Sequence, residues 1–150
     1  MKMNRIIIAG GLLVCMAGAV FATALSANKS TPSIAGKRIS LTVKNDEVIY
    51  AGGMVSVDTN SEAVASTDSA SDQVVGRAAT YVNNADDGEV ISVDVGIFGW
   101  AKSGTIGDSS IGDIVYVVDD NTVATSDPGN ACIARVLVDQ DSNYAYVSTH

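Results

Sequence analysis

Ser109 and Ser110 stand in Gly107-Asp108-Ser109-Ser110, a setting in which a serine hydroxyl serves as nucleophile in one class of hydrolases. That chemistry needs a base, and the base of that class comes from a downstream Asp-x-x-His. The sole histidine here is His150, and three residues before it stands Val147. The G-x-S-x-G elbow is also missing, because Gly107 and Gly112 are five residues apart around Ser109. A hydroxyl with no positioned base is a poor nucleophile, so the sequence assigns no catalytic residue. Asp139, Asp141 and Asn143 imitate the start of a calcium loop, but Tyr144 holds the position that needs glycine and His150 the one that needs glutamate. There is no Cys/His cluster for zinc and no phosphate-cradling glycine loop, so no metal or cofactor is expected.

The same residues make good turn chemistry. Ile-Gly-Asp occurs at Ile106–Asp108 and again at Ile111–Asp113, and glycine with aspartate suits a reversal of the chain. The following DIVYVVDDNTV predicts a strand, a turn at Asp119-Asp120-Asn121 and a second strand from Thr122. Short β-branched runs recur from Ile34 onward, separated by Asn, Asp, Gly and Ser clusters. Ile39, Leu41 and Val43 alternate with polar Ser40, Thr42 and Lys44; Val93, Val95 and Ile97 alternate with Ser92, Asp94 and Gly96. This period of two is that of half-buried strands. The expectation is an all-β protein, a small β-barrel or sandwich of short strands, over residues 36–150. Glu62–Gln73, poor in large hydrophobes, is read as an exposed loop.

Charge is unevenly distributed. Residues 1–44 hold six bases and no acid, which leaves three bases and seventeen acids, a local −14, for the remainder. Such a body repels nucleic acid. Residues 1–27 combine a cationic start, an uncharged stretch from Ile6 to Ala27 and small residues at Ala22-Thr23-Ala24. That is the layout of a secretory signal, with an uncleaved membrane anchor through residues 6–27 as the alternative. Residues 28–35 are polar and turn-prone, a linker ahead of the β domain. If the signal is removed, Cys15 goes with it, and Cys132 in the apolar run ACIARVLV is left as a buried small hydrophobe. Trp100, close to Phe98, admits two readings: a core aromatic or an anchor for a partner.

Several strings are familiar in kind. VIYAGGMVSVDTNSEAV, VVGRAATYVNNADDGEVISVDVGIFGWA, IGDIVYVVDDNTVATS and IARVLVDQDSNYAYVS resemble the small head-decoration, or capsid-cement, proteins of tailed bacteriophages and prophages, over about residues 36–148. The resemblance implies a β domain without catalysis that sits on the virion surface and stabilises a lattice of major capsid protein. Members of that family begin near the equivalent of Ile34, whereas this chain adds an export-type segment. The second reading is therefore a secreted or cell-envelope subunit of a surface layer or filament built on the same domain. Both readings make the chain a homo-oligomer or lattice partner. Phe98 and Trp100, with Ile39, Leu41 and Val43 on an N-terminal arm able to pair with a neighbour, are the expected interface residues.

Overall fold

The computed structural model describes residues 38–85, 88–130 and 132–149. The expected export segment, residues 1–27, and the linker, residues 28–35, lie outside them, as does His150. The described residues belong to the compact unit Ile34–His150 and are almost wholly strand and turn, as expected for an all-β protein.

The first half contains β1 (Arg38–Thr42), β2 (Val48–Ile49), β3 (Met54–Val57), β4 (Ala63–Ala65), β5 (Gln73–Ala78), β6 (Val82–Asn83) and β7 (Val90–Asp94). Five of these form a sheet in the order β1-β7-β5-β3-β4, and β2 pairs with β6. The second half contains β8 (Ile97–Lys102), β9 (Ile114–Asp119), β10 (Thr122–Ala124), β11 (Ile133–Gln140) and β12 (Tyr144–Ser148), which close into a barrel in the order β10-β8-β12-β11-β9. Closure leaves the barrel without an open edge, which is how a small all-β body avoids pairing with stray strands.

The first sheet curls until its margins meet. Immediately after β1, Val43 bridges Ala63 of β4 in parallel, and the Lys44 amide donates to the Ala63 carbonyl at 3.0 Å. Asn84, fully buried, pins this junction: its side-chain amide donates to the carbonyls of Val43 at 2.7 Å and Lys44 at 3.1 Å, and its oxygen accepts from the Glu89 amide. A buried amide is tolerated there because its polar atoms find partners.

Each half has its own core. Val43, Ile49, Val55, Ala63, Ile91 and Val93 fill the curled sheet, and Trp100, Val115, Val117, Val123, Leu137 and Val147 fill the barrel. Met54 of β3 and Val74 of β5 turn their side chains into the barrel core, so the same strands serve both. Successive residues of a strand face opposite ways, and that lets a sheet feed two cores at once.

Two expectations need correction. Glu62–Gln73 is not all loop: Ala63–Ala65 is a strand paired with β3, and Ala63, Val64 and Ser66 are buried. Small side chains gave little hydrophobic signal, yet they are the ones buried here, and Ser66 meets Ser56 hydroxyl to hydroxyl at 2.7 Å. The alternation of Val93, Val95 and Ile97 also breaks. β7 ends at Asp94, the chain turns through Val95-Gly96, and the phase reverses, so Val93 is buried while Ile97 is 55% exposed.

Candidate functional site

Ser109 and Ser110 lie in a single 3-10 turn, Asp108–Ser110, that feeds β9, as the turn reading of this stretch expects. The turn is held from outside. Gln140 donates to the Asp108 carboxylate at 2.6 Å, and the Lys102 ammonium donates to the Gln140 side-chain oxygen at 3.0 Å. The calcium-like stretch is an aspartate turn between β11 and β12: Asp141 accepts from the amides of Asn143 at 2.7 Å and Tyr144 at 2.8 Å. Those amides hold its carboxyl below the usual carboxylate range. No group of three or more His, Cys, Asp or Glu side chains able to hold a metal occurs among the described residues. Cys132 is buried, and desolvation pushes its thiol pKa up, away from reactivity.

The five expected interface residues divide. Trp100 is 1% exposed and Val43 is not exposed at all. Trp100 faces into the barrel opposite Ala145 of β12, and Val43 sits where the curled sheet closes. Neither is a docking residue on this chain's surface; each fills a core that its strand cannot leave without breaking a ladder. Phe98 is half-buried against Trp100, with ring centroids 5.8 Å apart in an edge-to-face arrangement. Leu41 is half-buried and Ile39 is 39% exposed. The arm that should carry them is not loose either, because β1 pairs along its whole length with β7 of the same chain.

A line of contacts joins these residues across both halves. The Arg38 Nε donates to Asp94 at 2.7 Å, Arg77 donates to the other Asp94 oxygen at 3.2 Å, and the Arg77 guanidinium lies 4.6 Å above the Phe98 ring centroid. The Arg38 hydrogen bond above all, supported by Arg77, holds the Asp94 carboxyl below the usual range.

One apolar feature on the outside of the barrel was not foreseen. Ile97 stands opposite Ser148, Ser148 opposite Val136, and Val136 opposite Ile114, so one register line crosses β8, β12, β11 and β9. Directly opposed residues share a face. Ile97, Val136 and Ile114 are 55%, 42% and 48% exposed, and Val138, set in the register irregularity of β11, is exposed close by. No charged residue occupies this line. The signal that could have revealed it is the isoleucine at the start of two barrel strands, Ile97 and Ile114, each just outside the inward-facing phase.

A cavity of about 290 Å³ lies between β5 and β11, lined by Ala70, Asp72, Gln73, Val74, Ile133 and Arg135. Its lining has no Ser, Cys or His, so it offers a guanidinium and a carboxylate but no nucleophile with a base.

No protein family, curated protein or solved structure matches the chain in sequence or in fold.

Proposed function

We propose that the chain is a non-enzymatic structural subunit of the capsid-decoration kind, which binds a lattice of major capsid protein from outside and stabilises it. The observation that carries this reading is the uncharged line Ile97–Ser148–Val136–Ile114 on a closed barrel. Full burial of a Val or Ile side chain contributes roughly 1.5–3 kcal/mol, so three half-exposed ones supply a few kcal/mol at most. A micromolar complex needs about 8 kcal/mol. The line therefore anchors one part of a larger footprint, and binding gains strength from many copies on one repeating surface. The resemblance of residues 36–148 to phage head-decoration proteins supplies the kind of lattice.

The export-type layout of residues 1–27 favours a second reading, an exported surface or filament subunit using the same domain. Immunogold labelling of particles and cells from a producing strain separates the two. The decoration reading expects label spread over icosahedral heads. Label confined to the cell envelope or to filaments overturns it in favour of the second.

A further inference from the structure

The cavity of about 290 Å³ between β5 and β11 holds two opposite charges that do not meet, Asp72 and Arg135, beside Ala70, Gln73, Val74 and Ile133. Among the described residues every ion pair lies elsewhere, joining Arg38 and Arg77 to Asp94 and Lys44 to Asp58. Lys102 donates to three oxygens, those of Ile106, Gln140 and Asp141. The Arg135 side chain makes a single long bond, from Nη2 to the Val74 carbonyl at 3.4 Å. It thus reaches from β11 to β5 and leaves most of its donor fork open. The Asp72 carboxylate accepts only from the neighbouring Ser71 hydroxyl, at 3.2 Å. Acids are not scarce, since residues 45–150 carry an excess of fourteen over bases.

The backbone holds Arg135 in place under strain. The register passes from Ile133 opposite Tyr116 to Arg135 opposite Val115, so two steps of β11 match one of β9 in a bulge. Ala134 and Leu137 are buried, while Arg135 and Val136 between them are both exposed. Arg135 takes φ +138°, a conformation that glycine adopts freely and other residues rarely do. Its exposed side chain fills no core that would explain the strain. Strain of this kind clusters where a side chain is aimed at a ligand.

We infer that this cavity binds a small aliphatic amino acid as its zwitterion, with the carboxylate on Arg135, the ammonium on Asp72 and the hydrocarbon side chain against Ala70 and Ile133. The planar guanidinium fork matches a carboxylate with two parallel bonds. A lone anion would gain Arg135 but meet Asp72, and a lone cation would meet the reverse. Only a ligand charged at both ends satisfies both groups. The volume stands at the floor of the range for ligand sites, which limits the occupant to amino-acid size. The aliphatic walls favour a short hydrocarbon side chain over a polar one. None of this needs a lattice or a second copy, so the inference stands apart from the capsid reading.

The test follows the amide chemical shifts of the full chain in detergent, free of any capsid, as L-valine is added. Isovalerate is valine without its ammonium, and isobutylamine is valine without its carboxylate. Valine should shift the amides of Ala70, Gln73, Val74, Ile133 and Arg135 in a saturable way, and each one-ended analogue should bind at least tenfold more weakly. Arg135→Gly and Asp72→Asn should each weaken valine binding at least tenfold. The glycine variant carries a second signature. Freed of the strained φ, it should have a urea midpoint at or above that of wild type, so lost binding cannot be put down to lost folding. No saturable shift with valine at tens of millimolar, equal affinity for all three probes, or folded Arg135→Gly and Asp72→Asn chains that bind valine as wild type does would each overturn the inference.

Discussion

Arg38 and Asp94, 56 residues apart in the chain, meet in a 2.7 Å hydrogen bond that closes one end of the β1–β7 ladder. Because the carboxyl of Asp94 titrates below its ordinary value, the unfolded chain takes up the proton first as pH falls. Asp58, held down by the backbone amide of Glu62, and Asp141, held down by that of Asn143, behave alike. Their stabilisation is complete above the ordinary carboxylate range and drains away as pH falls through it toward their depressed values. Asp120 works the other way, since burial raises its pKa, but it is one group against three. Urea midpoints should therefore hold steady near neutrality and fall from about pH 5 downward. Asp94→Asn should lower the neutral midpoint and make the acid fall shallower; an unchanged profile would show that the Arg38 and Arg77 bonds contribute nothing.

Trp100 makes a sharper contrast. Truncation to alanine should cost about 3–5 kcal/mol of folding stability, the usual range for emptying a large aromatic site. Its indole N–H is buried without an acceptor among the described residues, so Trp100→Phe removes an unsatisfied donor along with some volume. That variant should lose no more than about 1 kcal/mol, because relief of the unsatisfied donor offsets part of the cavity cost. Chemical denaturation of both variants checks the order; equal losses would mean the N–H carries no penalty.

Gly76 is required by close approach. A Cβ at this position would lie 2.2 Å from the Asp94 carbonyl oxygen and 2.7 Å from a methyl of Val93. Backbone cannot give way as a flexible side chain can, so Gly76→Ala should destabilise by about 3 kcal/mol or more, at the upper end of overpacking effects. Gly107→Ala, where a Cβ would meet nothing within 4 Å, is the control and should be nearly neutral.

Ser109 and Ser110 should be replaceable together by alanine with a stability change within about 0.5 kcal/mol, as for surface positions without a special role. A covalent adduct at either serine with an acylating probe would contradict both the turn reading and the structural role.

Much of this architecture could be read from local pattern. The turn at Asp119-Asp120-Asn121 separates β9 from β10 where its residue types place it, and the polar alternation of Arg38–Thr42 marks a true strand. What escaped has non-local causes. VIYAGGMVSV reads as one run, but Gly52, at φ +90°, splits it into β2 and β3, which serve different sheets. Trp100 could be core or contact on sequence alone, because its orientation depends on the phase reset at Val95-Gly96. The outward line of Ile97, Val136 and Ile114 exists only once β12 lies between β8 and β11, and no local window contains that arrangement.

The barrel closes late in the life of the chain. Thr149 bonds the Gly96 carbonyl through its hydroxyl, 53 residues back, and β12, made after every other strand described, is the stave between β8 and β11. Until β12 is in place, both flanking strands keep raw edges, and the loop-closure entropy of about half the domain has yet to be met. A nascent chain is thus most exposed to wrong partners in the interval before β12 is made. Truncation ahead of Tyr144, which removes β12, would leave the protein permanently in that state.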